Sequence, residues 1–380
     1  MQKIDKNLLF CISALSKSET KVECIVFLKQ GVCSKLMLKK IVGEDGIIAF
    51  YPFLNACTIQ IEKKFLPKLA GLNFVEYVSS IQKASILLNN SRKILKIDEI
   101  HKRGITGKGV TVAIIDTGCH PHLDFCLGHN RIKAFYDFLN ENQNPYDDNG
   151  HGTFVCGVVG GNGLTYNGKY RGVAPNAELV VIKALDKNGE TTANIILSAM
   201  QWILDSKDKL NIQVVCMSFG SQPIENSDPL AEGAKVLWDN GICVVCAGGN
   251  DGPGEGSIKS PGSCPNVITV GSVDKIDEEK NLKVAPFSSR GPAFDYIKPD
   301  IMAPGVDIVS TSTSDTFYSS MSGTSVSTPF VAGICALMIQ NDETLSPNKI
   351  KEILMKNASK FENNPNASGS GFLNLDNIFF

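Results

Sequence analysis

Ser325 lies in Gly-Thr-Ser-Val-Ser-Thr-Pro (323–329), among small residues and just before the apolar run FVAGICALMI (330–339). This pattern predicts a hydroxyl presented at the first turn of a buried helix. Small neighbours let a substrate backbone approach, and the helix N-terminus offers free N–H groups and a positive dipole end to an anion forming beside the serine. Gly-Thr-Ser is also common in turns, so nucleophilic chemistry depends on partners elsewhere. VTVAIIDTG (110–118) is a β-branched, apolar run ending in Asp116. It reads as a strand buried on both faces, and an ionised carboxylate at its end is costly without a partner. A lone Asp there would instead cap a turn. NGHGTFVCGVVGG (149–161) sets His151 between glycines at a helix start. Its ring is sterically free to reach another side chain, the alternative being an ordinary loop histidine. GICVVCAGGN (241–250) runs a further buried strand into Asn250. Asn is a neutral N–H donor suited to the oxygen of a tetrahedral intermediate, or a turn residue in a left-handed conformation.

The four segments together resemble the subtilisin-like serine proteases over about residues 92–375. The motifs AIIDTG, NGHGTFVCG, SFG, AGGN, SSRGP, MAPG and MSGTSVSTP follow the family order Asp, His, Asn, Ser. The resemblance implies Ser325 as nucleophile and His151 as the general base that later protonates the leaving amine. Asp116 would fix the imidazole tautomer, and Asn250 with the Ser325 N–H would form the oxyanion hole. It also implies an α/β, three-layer fold with a mostly parallel central sheet. SSRGP (288–292) and KPDIMAPG (298–305) match structural loops packed around the nucleophile helix. In the cleft, Ser218, Phe219 and Gly220 match the edge that pairs with a substrate backbone, and Gly189 and Gly249 line it. Ala193 replaces a bulky aromatic wall, which leaves a remote subsite open. Lys259 stands at the base of the primary pocket, where relatives often have a small residue. A cation there would attract an acidic side chain before the scissile bond, unless Asp251 neutralises it or Lys259 points to solvent. The chemistry needs no cofactor. The resemblance implies a structural calcium at Asp124, in the P-H-x-D loop after Asp116, although GNGLTYNGKYRG (161–172) differs from the usual calcium loop in length and Asn pattern.

The elements that must position these residues alternate strand and helix from about residue 105: VTVAII, then 152–160; 178–185, then 192–205; 214–219, then 229–239; and 241–247. Alternation of doubly buried strands with helices predicts a parallel sheet covered by helices. The boundaries divide the chain into a region 1–90 and a catalytic domain 91–380. Within 1–90, strands are expected at 21–28, twice within 46–61 and at 74–80, with helices near 34–42 and 63–71. This small α+β (ferredoxin-like) arrangement resembles the propeptide of the family, which implies an intramolecular inhibitor and folding chaperone. Self-cleavage would then fall between about Ser80 and Ser91, with LLNNSRK (87–93) as the junction.

With 380 residues, 43% hydrophobic and 20% charged, the composition is that of a globular protein, and the net charge of −2 gives no basis for binding nucleic acid or anionic membranes. No apolar run reaches membrane-spanning length. Peptides or proteins are the expected substrates. NLLFCISAL (7–15) is short for a signal peptide and is read as part of the N-terminal domain. Twelve cysteines without a clear export signal are expected as reduced thiols, which favours a cytoplasmic over a secreted location. The cluster CHPHLDFCLGH (119–129) has the density but no common spacing of a zinc site.

Overall fold

The computed structural model describes residues 3–4, 20–29, 34–43, 46–51, 55–80, 95–225, 228–274, 282–314 and 317–380. The segment 7–15 and the junction at 87–93 lie outside them. The chain divides into two compact units, Met1–Ser85 and Ile86–Phe380.

In the first unit, β1 (Lys21–Leu28), α1 (Ser34–Val42), β2 (Ile47–Tyr51), β3 (Ala56–Glu62), α2 (Leu66–Ala70) and β4 (Val75–Ser80) form a βαββαβ chain. Its four-stranded sheet has the order β2-β3-β1-β4 and is antiparallel throughout. This is the ferredoxin-like topology. The inward faces of β1 and β3 supply Cys24, Val26, Leu28, Ile59 and Ile61, and α2 closes over them with Leu66 and Leu69. The alternation along β1 is what one buried face requires.

The second unit is built on an eight-stranded sheet. Its strands are β5 (Thr111–Asp116), β6 (Ile132–Asp137), β7 (Glu178–Lys183), β8 (Ile212–Met217), β9 (Cys243–Ala247), β10 (Ile268–Asp274), β11 (Lys283–Val284) and β12 (Ile301–Pro304). The order β6-β7-β5-β8-β9-β10 is parallel, β12 adds in parallel to β10, and β11 pairs antiparallel. Helices α3 (His151–Gly160) and α6 (Thr324–Asn341) pack together against the sheet, as do α4 (Ala193–Leu210) and α5 (Pro229–Asp239), followed by α7 (Pro347–Asn357). Helix–sheet–helix layers result. From Val326 to Ile339 every residue of α6 is buried, so this helix is core on all sides.

KPDIMAPG contains β12 rather than only a loop, because Ile301 and Met302 are fully buried and pair with Val270 and Gly271. A hairpin of β13 (Ile308–Thr311) and β14 (Tyr318–Met321) leads into α6. Among the described residues no helix is long and apolar enough to cross a membrane.

Candidate active site

Parallel strands collect their carboxyl ends at one edge, and the candidate residues fall there. Asp116 is the last residue of β5 and is fully buried. Its Oδ1 lies 2.8 Å from His151 Nδ1, at the first residue of α3, and accepts the Thr117 N–H at 2.7 Å. Burial works against an imidazolium at His151. The Asp116 carboxylate, its hydrogen bond and the charge of Asp147 outweigh this and raise the pKa above the ordinary histidine value.

Asn250 follows β9 and reaches the start of α6. Its Oδ1 accepts the Thr324 N–H at 2.9 Å and the Thr324 hydroxyl at 3.0 Å. These bonds orient the amide so that Nδ2 is free for another acceptor. Gly323, with φ +157°, brings that amide and Ser325 together: a Cβ built on it would sit 3.1 Å from Ser325 Oγ and 3.4 Å from Asn250 Nδ2. Gly249 N–H donates to the Thr324 hydroxyl at 3.1 Å, so Thr324 ties β9 to the serine helix. Thr324 was not singled out in the sequence, although it adjoins Ser325.

The residues expected to line a cleft lie at or near this edge. Ser218, Phe219 and Gly220 continue from β8, and Ser221 pairs with Ser260 through bonds of 2.9 and 3.0 Å. Gly189 sits in the Asp186–Glu190 turn, next to Asn149 of the loop that leads to His151. Ala193 opens α4 and is exposed. The Lys259 stem runs between two glycines. A Cβ on Gly220 would meet Lys259 Cβ at 2.6 Å, and one on Gly249 would meet Lys259 Cγ at 2.6 Å. The ammonium is bonded to Asp251, which is 56% exposed, whereas the Lys259 side chain is 13% exposed. Of the alternatives for Lys259, the structure has the paired one. Asp228, also missed in the sequence, anchors this wall. It caps α5 through the N–H groups of Leu230 and Ala231 and accepts the Ser260 hydroxyl at 2.8 Å. An Asp before Pro-Leu at a helix start is the signal that could have found it.

Asp124 lies elsewhere and is fully buried. Its Oδ1 accepts the N–H and hydroxyl of Thr165 at 3.2 and 2.8 Å, and its Oδ2 accepts the Tyr318 hydroxyl at 2.7 Å. The guanidinium of Arg131, bonded to the Asp124 and Gly160 carbonyls, stands beside it, and burial lowers that group to about 10. Hydrogen-bond donors and a cation do not fit a divalent metal, which needs further oxygens turned inward. Among the described residues no three His, Cys, Asp or Glu side chains group as metal ligands. The cluster at 119–129 is likewise dispersed. Cys119, His122 and Asp124 are buried while His120 and His129 are exposed.

A carboxylate–histidine pair and an amide oriented against the helix that carries Ser325 lie at the carboxyl edge of a parallel sheet, the set expected of a serine hydrolase. Residues 107–372 match the subtilase family, and the chain belongs to it. The serine protease AprX of Bacillus subtilis is 36% identical over 352 residues, 85% of this chain and 79% of that protein. Subtilisin J of Geobacillus stearothermophilus is 30% identical over 379 residues, 96% of this chain and 92% of its own. Among solved structures, the S41 psychrophilic protease has a TM-score of 0.64 at 32% identity, covering 71% of this chain and 93% of that one. The protein is a subtilisin-like serine endopeptidase acting on peptides or proteins, and catalysis in this family needs no cofactor.

Proposed function

We propose that Asp116, His151 and Ser325 form the catalytic triad of a protease made as a zymogen. The observation that carries this reading is the 2.8 Å Asp116–His151 bond, at the same sheet edge where Asn250 is held against the serine helix. Ser325 Oγ attacks the scissile carbonyl while His151 Nε2 takes its proton. Asn250 Nδ2 and the Ser325 N–H bind the oxyanion. His151 then protonates the leaving amine, and water, deprotonated by the same ring, hydrolyses the acyl-enzyme. Asp116 holds Nδ1–H and stabilises the imidazolium.

Residues 1–90 act as an inhibitor and folding aid, removed by the enzyme's own activity between about Ser80 and Ser91. The βαββαβ topology supports this, as does the alignment with subtilisin J across 96% of this chain. Lys259 and Asp251 face the side chain before the scissile bond as a pair, not as a lone cation. The buried thiols support a reducing compartment such as the cytoplasm. Burial raises Cys216 to about 12, and Cys335 rests against Cys243 as packing.

Fluorophosphonate labelling and N-terminal sequencing of the wild type and Ser325→Ala test the proposal together. The wild type should be labelled and processed, and the variant neither. A labelled but unprocessed wild type removes the zymogen reading, and an unlabelled wild type removes the triad.

A further inference from the structure

Asp147 accepts five hydrogen bonds at the junction of the two segments that carry Asp116 and His151. Its Oδ1 takes the Thr117 hydroxyl at 2.9 Å and the N–H groups of Asn149 and Gly150 at 3.1 and 2.8 Å. Its Oδ2 takes the N–H and hydroxyl of Thr153 at 2.8 and 2.6 Å. Thr117 follows Asp116 directly, and its hydroxyl in turn accepts the Gly152 N–H at 2.8 Å. One carboxylate therefore fixes the backbone on both sides of His151 and the residue beside Asp116. It also satisfies free N–H groups at the start of α3, where negative charge is favoured.

We infer that Asp147 is a positioning residue of the hydrolytic site, setting the approach of His151 to Asp116 and adding a second negative charge toward the imidazolium. The inference rests on the triad reading above. Asp116 and His151 are 35 positions apart, and the bond between them aligns the ring only if the two backbones are held in register. A displacement of about 1 Å can cost about a hundredfold in rate.

The charged groups around His151 are few. Asp116 faces it from β5 and Asp147 from the loop before α3. Lys183, fully buried on β7, is spent on the Thr117 carbonyl and Asp148 Oδ1, both at 2.6 Å. Cys156 of α3, which meets Cys119, is kept uncharged by burial. Burial alone would raise the Asp147 carboxyl. The bonds from Thr153, Gly150 and Asn149 instead hold it below the usual carboxylate range, so it is ionised wherever His151 titrates.

The test measures Asp147→Asn and Thr117→Val in the full chain, with active sites counted by fluorophosphonate so that kcat refers to competent Ser325. A wild type that takes no label refutes the triad reading and, with it, this inference. Labelled wild type with unaffected variants refutes only the inference. Asp147→Asn should lower kcat by about ten- to a hundredfold with KM within about twofold. The acid limb of kcat/KM should move to lower pH, because His151 loses a charge that favours its protonated form. Thr117→Val should lower kcat while leaving the acid limb in place, since Asp147 keeps its charge. Wild-type kcat per titrated site and an unmoved acid limb in Asp147→Asn, whatever its thermal stability, overturn the inference. If Asp147→Asn does not fold, Thr117→Val decides: wild-type kcat per site overturns it, and a fall supports it.

Discussion

Replacing Tyr318 by Phe removes one of three donors from the buried Asp124 carboxylate and leaves the ring in place. The Tyr318 hydroxyl is 2.7 Å from Asp124 Oδ2, and that oxygen has no second donor among the described hydrogen bonds. The ring's contacts with His122 and Tyr170 do not need the hydroxyl. A hydrogen bond to a charged acceptor contributes about 1.5–3 kcal/mol, and the stranded oxygen puts the cost toward the upper end. Unfolding entropy for a unit of the size of Ile86–Phe380 converts this into a Tm drop of about 2–5 °C. Thermal unfolding should be followed in a Ser325→Ala background, which prevents self-digestion, with chelator and with calcium. Tyr318→Phe should melt below the parent by the same margin under both conditions. A parent whose Tm falls in chelator and recovers with calcium, with that response abolished by Asp124→Asn, would refute the reasoning, because a cation would then be holding the carboxylate.

Asn250→Ala should lower kcat by about a hundred- to a thousandfold with little change in KM, measured on a chromogenic peptide. Thr324→Val, which keeps the backbone N–H but loses the hydroxyl bonded to Asn250 Oδ1, should cost about tenfold by the same assay. Lys259→Gly should open the space between Gly220 and Gly249 and shift a peptide library toward large apolar side chains before the scissile bond. Asp251→Asn should leave Lys259 unpaired and shift the same library toward Glu and Asp. The acid limb of kcat/KM should lie above the ordinary histidine range, because the base must be neutral and its surroundings favour the proton.

Four strands of the parallel sheet were legible because both faces of each are buried. β5, β7, β8 and β9, which end at Asp116, Lys183, Met217 and Ala247, are therefore near-continuous apolar runs. The first unit was legible for the opposite reason: alternation in β1 and a stop at Gly71 after α2. Strands β6, β10 and β12 were not, β10 being broken in sequence by Gly271 at its centre. β6 has exposed and half-exposed positions that blur its period, and β12 is only four residues long. The charged residues that hold the interior together were also hidden. Lys298 is 1% exposed, with its ammonium on Thr269 Oγ1 and Asp300 Oδ2, yet in sequence it is one lysine among many.

Lys259 shows where the limit lies. Its type and position put a cation at the expected base of the primary pocket, and the sequence offers Asp251, eight positions earlier, as a neutralising partner, but not whether the two meet. The chain turns between Asp251 and Lys259, and the Lys259 N–H bonds the Gly248 carbonyl at 2.9 Å, which draws that turn closed. The stem can then lie along the cleft wall only because Gly220 and Gly249 carry no Cβ. Three separate segments thus place one ammonium group. The motifs around Asp116, His151 and Ser325 identify the reaction because each carries its chemistry locally. If the Lys259–Asp251 pair faces the substrate as proposed, single variants at either position should shift preference in different directions while leaving the reaction intact.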